Sequence, residues 1–518
     1  MKRVALSLVL ALGACGKPAP PPPAAGPTEA QKLLAEAGFP GGKGFPKLSL
    51  VYNTSESHKR IAAAIQESWR KQLGVEIELV NTEWKVFLDR VERGDFQLAR
   101  RSWIGEYLDP HAFLDLFTRE SGNNPTGWSS DDYDRLLRTS DDRKDPAERL
   151  KVLEEAEQLL LREAPMFPIY HYVAHNFLKP FVKGVHHNSR DLHPIQHVWL
   201  EGEGAPKDGV LVFNAGEEPG TLDPALSHDI AGLKVLMHVF EGLFEYHPRD
   251  ASPVPAAAER WEVSDDGKTW TFHLRPAKWS NGDPVTADDF IYAWQRVVRP
   301  ETGSTYSHRL FLIRGAREIA AGKAPAESLA VRAPDPRTLV VELTHAAPYF
   351  PQLLCLNLFF PVHRATVEKH GRRWMSNPET LVGNGPYRLT SWKVNDRKVF
   401  EKNPQHRAAA DLRISKFVFV QIADAAAGFR AYEAGQVHWL FQAPTEFMDT
   451  LMARPDHLAG PANAVYFYVF NTRVRPLDDV RVRRALSLAV DREKICKYVL
   501  RGGETPAVRL VPPTSLPK

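Results

Sequence analysis

The chain has 518 residues, of which 66 are Lys or Arg, 63 are Asp or Glu and 3 are Cys. At about 150 residues per domain this length predicts roughly three structural units. Hydrophobic residues make up 43%, enough to fill large cores, which excludes a chain disordered throughout. A net charge of +3 gives no electrostatic case for nucleic acid. So few cysteines exclude a disulfide scaffold, and we expect Cys355 and Cys496 to be small buried residues.

The start of the chain predicts export and a lipid anchor. Residues 1–14 carry two basic side chains and then an apolar run too short to span a bilayer, a pattern typical of a signal peptide. The run ends in Leu-Gly-Ala-Cys, which resembles a bacterial lipobox and implies cleavage before Cys15 and a diacylglycerol group on its sulfur; the alternative is an incidental buried cysteine. Residues 15–28 are rich in proline and predict an extended stalk. No other segment has about 18 uncharged apolar residues, so we expect a soluble body tethered through this anchor.

The segment behind the stalk has the periodicity of a parallel α/β unit. Alternating apolar residues predict three strands, over 48–52, 75–80 and 96–103. Between them, apolar residues recur at helical spacing, and Gly74 and Gly94 end the two predicted helices. The pattern is therefore β-α-β-α-β, the repeating unit of a parallel sheet.

The ends of these strands are the first indication of a binding site. In parallel sheets, ligands collect beyond the carboxyl ends of the strands. Here those ends are residues 53–58 and 102–109. We therefore expect functional side chains in these two segments.

The rest of the chain continues to mix helices and strands without a repeat. Periodic patterns predict two further helices, over 146–163 and from 287 onward. Apolar runs predict further strands over 166–173, 210–213, 270–274, 337–343, 386–392 and 413–420. Residues 201–209 form a break rich in glycine and charge. The predicted fold class is α/β.

Motifs that would indicate an enzyme or a metal centre are missing. The sequence has no HExxH, GxSxG, Walker A, GxGxxG or CxxC motif. The nearest approach to a metal-binding cluster is a group of four histidines in a polar stretch: His186, His187, His193 and His197. Their spacing is not that of a structural metal site, so we interpret them as solvated loop histidines. We expect no cofactor and no metal.

Charged and aromatic side chains concentrate near the predicted strand ends. Arg100 and Glu106 flank the end of the third strand, and His58 lies on the neighbouring loop. They are candidates for holding a ligand with two charged ends; solvated surface charges are the alternative. Aromatic residues in the same regions, such as Trp103 and Tyr172, suit the wall of an amphipathic cleft or an ordinary core.

Two groups of motifs resemble a known family, the peptide-binding extracellular solute-binding proteins of ABC importers. Several stretches resemble the family signature: Ala258-Glu259-Arg260-Trp261, Trp270 to Arg275, Lys278 to Phe290, and Asp478 to Leu486 with Asp491-Arg492. Other stretches resemble the oligopeptide-binding subgroup in particular: Tyr52-Asn53-Thr54-Ser55, Glu83-Trp84, Ala99-Arg100 and Trp103-Ile104-Gly105-Glu106-Tyr107. The resemblance covers nearly all of residues 29–518.

The order of these motifs differs from the family. The stretch that resembles the family's first part is 208–518, and the stretch that resembles its second part, 29–200, precedes it here. This order indicates a circular permutation joined through residues 201–209. A chimeric or misassembled reading frame is the alternative.

The resemblance implies a periplasmic-binding-protein-like α/β fold with two lobes, a hinge and an inserted subdomain. The ligand-binding lobe would take 29–174 and 463–518, the other lobe 175–245 and 373–462, and the inserted subdomain 246–372. Members of the family close over an extended peptide and pair its backbone with their strands.

The resemblance also implies roles for individual residues. Glu106 stands where the subgroup has an Asp that holds the peptide ammonium, while Arg100 and His58 match positions that meet the peptide carboxylate at different peptide lengths. Positions of the cleft wall and of a strand-pairing segment are matched by Trp84, Trp103, Tyr172, Tyr306, His228 and Ile230. A cysteine pair that some members carry is replaced by Ala464 and Ile104.

The leading functional hypothesis is therefore a lipid-anchored receptor in the cell envelope. It would capture oligopeptides outside the cytoplasm as a monomer and deliver them to the permease subunits of an ABC importer. Alternatives are a receptor for modified peptides such as murein fragments, or a signalling or adhesion lipoprotein with the same fold. A peptidase is the least favoured hypothesis.

Overall fold

A single mixed sheet of eleven strands connects the two halves of the molecule. The structure is a computed structural model that describes residues 28–516 except 144, 228, 442, 443, 445 and 446. The predicted signal peptide, Cys15, the stalk up to residue 27 and His228 lie outside the described residues. Among the described residues, no helix is long and apolar enough to cross a membrane.

The strands and helices alternate along the chain. The strands are β1 (Leu48–Asn53), β2 (Ile77–Thr82), β3 (Leu98–Ile104), β4 (Met166–Leu178), β5 (Val182–Lys183), β6 (Trp199–Leu200), β7 (Val210–Asn214), β8 (Phe244–Tyr246), β9 (Pro253–Pro255), β10 (Ala258–Val263), β11 (Thr269–Leu274), β12 (Val331–Asp335), β13 (Thr338–Glu342), β14 (Tyr387–Lys393), β15 (Arg397–Lys402), β16 (Lys416–Val420), β17 (Trp439–Leu440), β18 (His457–Phe470) and β19 (Thr505–Pro506).

The helices are α1 (Glu29–Glu36), α2 (Glu56–Leu73), α3 (Trp84–Glu92), α4 (His111–Leu114), α5 (Asp131–Asp141), α6 (Pro146–Glu163), α7 (Ile230–Val239), α8 (Ala287–Val298), α9 (Ala316–Ala320), α10 (Phe350–Leu353), α11 (Arg364–His370), α12 (Ala425–Glu433), α13 (Met448–Leu451), α14 (Val480–Leu488) and α15 (Arg492–Lys494). Helix α15 continues into a π-helical segment, Ile495–Leu500.

The predicted β-α-β-α-β unit is confirmed. Strand β1 pairs in parallel with β2 and with β3. Helix α2 buries one apolar face, including Ile61, Ile65 and Trp69, and ends at Gly74, which adopts the left-handed conformation with φ 68°. Ser55 stands directly before α2, at the N-cap position, but its hydroxyl makes no capping bond to the helix backbone.

The centre of the sheet is formed by two long strands, β4 and β18. Strand β18 lies between β3 and β4 and is antiparallel to both. The prediction for β4 was too short, because the strand continues five residues beyond 173, to Leu178. The positions of the missing family cysteines, Ala464 and Ile104, are direct partners across β18 and β3. Cys355 and Cys496 are buried and free, as predicted.

Side chains from the two ends of the described chain share one core. Residues of α1, α2, β1 and β2 pack in a single cluster with residues of β18, α14 and the π-helical segment. The Trp69 indole N–H donates to the Leu486 carbonyl at 2.8 Å, and the Ser68 hydroxyl donates to the Ala489 carbonyl at 2.6 Å. The segment after 463 therefore supplies both a central strand and one wall of the core to residues 29–174.

The other half of the sheet is built by later segments of the chain. Its strand order from the edge is β14, β15, β16, β7 and β17, and β17 joins it to β4. Strand β15 was not predicted from the sequence. A separate antiparallel sheet of β10, β11, β13 and β12 lies within residues 246–372.

Both long strands cross from one half of the sheet to the other. The pairing of β18 with β4 is interrupted between Pro461 and Val465, where the register shifts. The first part of β18 pairs with the end of β4 that also contacts β17, and the second part pairs with β3 and the start of β4. The lobe boundaries predicted after residues 174 and 462 thus fall inside these two strands.

Asn463 fills the interruption in β18 and is fully buried. Its amide donates to the carbonyls of Tyr107 at 3.2 Å and Gly105 at 3.4 Å, and its side-chain oxygen accepts from Ser515 at 2.6 Å. The Gly105 N–H donates to the Asn463 carbonyl at 2.8 Å. A Cβ at residue 105 would overlap the Asn463 amide and the Phe113 ring, so only glycine allows this close approach.

Deletion of residues 463–518 is expected to unfold residues 29–174 rather than leave a stable fragment. The deletion removes the neighbour that β3 and β4 share and exposes the apolar face of α2. Limited proteolysis of the truncated protein, compared with the full chain, measures the outcome. A protease-resistant core spanning 29–174 in the truncated protein would contradict the prediction.

The free energy of unfolding is expected to decrease as the pH falls from 7 to 5. Buried His238 donates from Nδ1 to the Lys234 carbonyl and accepts at Nε2 from the Ile195 N–H, a pattern that requires the neutral ring. Burial lowers its pKa to about 4. The unfolded chain, with a histidine pKa of about 6.5, binds more protons in this interval, so stability is lost as pH falls below that value.

Denaturant unfolding at both pH values checks this expectation in the parent protein and in His238→Gln. The substitution should reduce the difference in unfolding free energy between pH 7 and pH 5. An equal difference in the two proteins would exclude His238 as a source of the pH dependence.

Candidate ligand-binding site

The open edge of β3 is the geometric basis of the candidate site. Strand β1 pairs with β3 only at Leu98 and Ala99, whereas β18 accompanies β3 along its whole length. From Arg100 to Ile104, β3 therefore has a sheet neighbour on one side only within the described part of the chain. An unpaired strand edge of this kind presents N–H and C=O groups to which another extended chain can bond.

A cationic cluster lies at the start of this open edge. We call it the Arg100 cluster: Asn53, His58, Arg100, Tyr172 and Tyr466. Arg100 is 7% exposed, and its guanidinium donates to the Tyr172 hydroxyl at 3.3 Å and lies 4.7 Å from the centre of the Tyr466 ring.

The charge of Arg100 is not neutralised by an acidic neighbour. Among the residues described, no carboxylate lies within ion-pair distance of Arg100, and its Nε has no hydrogen-bond acceptor. A buried cation is costly unless it is paired. The Arg100 cluster is therefore suited to receive an anion.

His58 is held next to this cation in its neutral form. Its Nδ1 lies 3.2 Å from the Asn53 carbonyl, and its ring centre lies 5.6 Å from that of Tyr466. Burial, reinforced by the positive charge of Arg100, lowers the pKa of His58 to about 4. A carboxylate bound at Arg100 would oppose this repulsion and favour the protonated ring.

A cluster of two carboxylates and two guanidinium groups lies beyond the other end of β3. We call it the Glu106 cluster: Glu106, Asp115, Arg190 and Arg309. The Glu106 carboxylate is 2.6 Å from Nε of Arg309, and the Asp115 carboxylate accepts a hydrogen bond from Nη1 of Arg309 at 2.6 Å. Arg190 bonds to the carbonyl of Gly105, directly before Glu106.

Burial and the ion pairs within this cluster act on its pKa values in opposite directions. Burial raises the pKa of Glu106 above the ordinary value, although Arg309 acts in the opposite direction. Burial alone would lower the pKa of Arg309, but Asp115 and Glu106 outweigh it and raise the pKa. Tyr306 stands three residues before Arg309, and burial, with the charge of Glu106, raises its pKa to about 12.

The remaining predicted residues are distributed over different surfaces. Arg100 and Trp103 are three positions apart on β3, so their side chains point to opposite faces of the sheet. The Trp103 indole donates to the Ala112 carbonyl at 2.8 Å. Trp84 starts α3, is 48% exposed and stacks on Phe87. The structure thus brings Tyr172, His58 and Arg100 together, but not the two tryptophans.

One predicted residue stands at the start of α7. Ile230 is the first residue of this helix and is 40% exposed. His228, two positions earlier, lies outside the described residues. Their pairing with a ligand backbone stays a prediction.

One of the four histidines of the polar stretch is buried, which corrects the sequence interpretation at that position. His193 is 7% exposed, and its Nε2 lies 3.0 Å from the Asp191 carboxylate. His186, His187 and His197 are half-buried. Asp191 and Asn176 also bond to each other at 2.8 Å, so this stretch packs against β4. Within the described ranges, no group of three or more His, Cys, Asp or Glu residues is arranged to hold a metal ion.

Sequence reasoning missed the partners that complete both clusters. Arg309, Asp115, Arg190 and Asn463 were not predicted as site residues. Arg309 is about two hundred positions from Glu106 in the chain, and neither residue carries a local motif that indicates the other. Tyr466, whose ring lies against the Arg100 guanidinium, was not predicted as a binding residue either.

A family profile matches most of the chain. It is described as "Bacterial extracellular solute-binding proteins, family 5 Middle" and matches residues 7–125 and 252–518. The oligopeptide-binding protein OppA of Bacillus subtilis is 37% identical over 310 residues, 59% of this chain and 56% of that protein. The periplasmic murein peptide-binding protein MppA of Escherichia coli is 37% identical over 307 residues, 58% of this chain and 56% of that protein.

Solved structures show the same fold over the same share of the chain. The murein tripeptide-binding protein MppA of Escherichia coli superimposes with a TM-score of 0.54 at 36% identity, over 58% of this chain and 60% of that one. OppA of Haemophilus influenzae in complex with the peptide RPPGFSPFR superimposes with a TM-score of 0.51 at 33% identity, over 57% and 59%.

This chain spans between 56% and 58% of the length of the curated relatives that match it at 34% identity or more. The predicted α/β class and the two-lobed fold of periplasmic binding proteins are confirmed by these matches, whereas the permuted order of the segments stays a prediction. By the extent of the family match, the chain belongs to the bacterial extracellular solute-binding proteins, family 5.

Proposed function

We propose that this protein is an extracytoplasmic receptor that captures oligopeptides and delivers them to an ABC importer. Relatives with the same family signature are named for oligopeptide and murein peptide binding. The permease subunits of an importer would be its partners, and the lipid on Cys15 would hold it, as a monomer, at the membrane surface.

The observation that carries this proposal is the open edge of β3 between two clusters of opposite character. The Arg100 cluster presents a buried cation without a carboxylate partner in the described part of the chain, and the Glu106 cluster presents a carboxylate whose side chain is 15% exposed and whose Oε2 is buried. An extended peptide that bonds to the open edge would place its carboxylate at Arg100 and its ammonium at Glu106. It would then run antiparallel to β3, in the β-augmentation mode.

The spacing of the two clusters limits the length of such a peptide. Arg100 and Glu106 are six positions apart, which at about 3.3 Å per extended residue is at most about 20 Å. A peptide whose two ends are both bound would therefore have no more than about five or six residues. Backbone pairing is independent of the peptide's side chains, so the receptor is expected to accept many sequences of this length.

A receptor for modified peptides is the second candidate. The likeness to the structure of a murein tripeptide-binding protein, with a TM-score of 0.54, supports it. Both candidates are binding proteins, and we infer that the chain is not an enzyme. The family to which it belongs consists of solute-binding proteins.

The permuted order is also part of the proposal. A collinear alignment with relatives in the usual order can follow only one of two exchanged blocks, and the individual relatives match about 59% of this chain. The proposed join, residues 201–209, forms turns between β6 and β7. A chimeric or misassembled reading frame is the alternative.

Purified protein is expected to retain short peptides, of which those of about five or six residues can reach both clusters. Native mass spectrometry of the protein as isolated would identify them, and calorimetry with a mixed peptide library would measure their affinity. Free amino acids of the same composition are the control and should bind weakly, because they cannot reach both clusters. Recovery of no peptide together with no binding of the library would contradict the proposed function.

Glu106→Gln is expected to weaken the binding of peptides with a free N-terminus about a hundredfold or more. Leaving a buried charge without its partner costs roughly 3–5 kcal/mol. N-acetylated peptides should bind the parent protein poorly and lose little further affinity on Glu106→Gln. Calorimetry of both peptide forms against both proteins gives the comparison.

The matched control for this experiment is Glu120→Gln. Glu120 belongs to the same lobe, but its carboxylate is exposed and pairs with Arg317 at 2.7 Å on the surface. Its substitution should leave both affinities unchanged. If acetylation of the peptide has no effect on the parent protein, Glu106 does not bind the ammonium.

Cys15→Ser is expected to release the protein from the membrane fraction of a bacterial host that processes lipoproteins. Without the sulfur, no diacylglycerol can be attached, and one acylated residue is the only proposed anchor. Cys496→Ser, which changes a cysteine of the folded body, is the control and should stay in the membrane fraction. A parent protein found wholly in the soluble fraction would contradict the anchor.

A further inference from the structure

The Glu106 carboxylate is already paired with a cation that the protein itself supplies. Arg309 is 6% exposed and lies in the short helical turn Ser307–Leu310, within residues 246–372. Its Nε is 2.6 Å from Glu106. The guanidinium thus occupies the position in which the proposed function places the ammonium of a peptide.

The two carboxylates hold Arg309 differently. Asp115 accepts an aligned hydrogen bond from Nη1 at 2.6 Å. The contact with Glu106 is equally short but is not aligned: neither the Glu106 Oε2 nor the Arg309 Nε has a hydrogen-bond partner among the described residues. Charge-assisted hydrogen bonds are strongest when they are aligned. Arg309 is therefore bound more firmly to Asp115 than to Glu106.

The charges of the Glu106 cluster balance without a ligand. Two carboxylates, Glu106 and Asp115, face two guanidinium groups, Arg309 and Arg190. An ammonium that enters must take over Glu106 from Arg309. An ammonium has three donors on a compact group and can align one of them with the Oε2 that Arg309 leaves without an aligned donor.

We propose that Arg309 is a specificity-determining residue, an internal cation that competes with the ligand's ammonium for Glu106. This inference rests on the proposed function and concerns the same site. Arg309 lowers the advantage that a free N-terminus has over a blocked one, because a blocked peptide leaves the internal pair intact. The strength of the internal pair sets the discrimination between the two kinds of ligand.

The exchange does not require the lobes to separate at this point. Asp115 belongs to the same lobe as Glu106, so Arg309 can leave Glu106 and stay bonded to Asp115. Other contacts between residues 105–141 and 246–372 accompany it, such as the stacked rings of Tyr107 and Tyr349 and the bond from the Leu108 N–H to Gln352 at 2.6 Å. Arg309 can therefore release Glu106 while its bond to Asp115 is kept.

The test compares free and blocked peptides in the parent protein and in Arg309→Met. The probes are a mixed library of tri- to hexapeptides and the same library after N-acetylation, each titrated by calorimetry. The measured quantity is the ratio of the dissociation constants of the acetylated and the free library. Arg309→Met should raise this ratio at least about tenfold, mainly by tightening the binding of free peptides.

Two further variants distinguish this role from a structural one. Arg317→Met removes an arginine of the same subdomain that pairs with Glu120 on the surface, and it should leave the ratio unchanged. Arg309→Lys keeps a charge beside Asp115 for the case that Arg309→Met does not fold. A lysine cannot bridge both carboxylates as the guanidinium does, so it should raise the ratio at least about threefold.

The possible outcomes separate the inference from the function on which it rests. If both libraries bind but neither Arg309 variant raises the ratio, Arg309 is not a competitor, and the proposed peptide binding stands. If neither library binds the parent protein, the proposed function fails and the inference fails with it. A raised ratio in Arg309→Met or Arg309→Lys, with the parent ratio in Arg317→Met, supports the inference.

Discussion

The position of β18 between β3 and β4 is the constraint on which the rest of the structure depends. It gives β3 a partner along its whole length and leaves the opposite edge of Arg100–Ile104 unpaired within the described part of the chain. The interruption in β18 places Asn463 against the carbonyls of Gly105 and Tyr107. Loss of these bonds would leave the buried amide unsatisfied and would lower the free energy of unfolding by about 1–3 kcal/mol. Asn463, at the interruption of β18, therefore holds in place the segment that carries Glu106.

Elements with strong local periodicity were predictable from the sequence. The apolar residues of the unit from β1 to β3 recur at regular spacing. Helix α2 ends at Gly74, where the backbone adopts the left-handed conformation that favours glycine. Strand β18 gave no such signal, because its first part contains Gly460 and Pro461, and its second part is buried on both faces. Its role follows from pairing with β3 and β4, contacts over several hundred positions that periodicity does not encode.

The candidate site was predictable in part for the same reason. The rule that ligands collect at the ends of parallel strands indicated Arg100, His58 and Glu106, all within one continuous unit. It gave no indication of Arg309 or Asn463, which reach the site from other segments. The alternation of side chains along β3 also separates Trp103 from Arg100, a consequence of register that a list of nearby aromatic residues does not show.

The two clusters differ in how they treat buried charge when no ligand is bound. Arg100 is surrounded by aromatic rings and hydroxyl groups and has no carboxylate partner in the described part of the chain, so no ion pair offsets the cost of its burial in the free state. Glu106 is paired with Arg309, and this ion pair lowers the cost of burying the carboxylate.

Any stabilisation of the empty site is subtracted from the affinity for the ligand, because binding reflects the difference between the free and the bound state. If the chain is the receptor proposed above, it would have to hand its ligand to another protein, which requires such a balance. Arg100 would favour capture, since a bound carboxylate would relieve its charge. Arg309 would favour release, since it could return to Glu106 as the ammonium departs and would leave no bare carboxylate behind. In that proposal, dissociation would begin at the end of the peptide held by Glu106, and the end held by Arg100 would leave last.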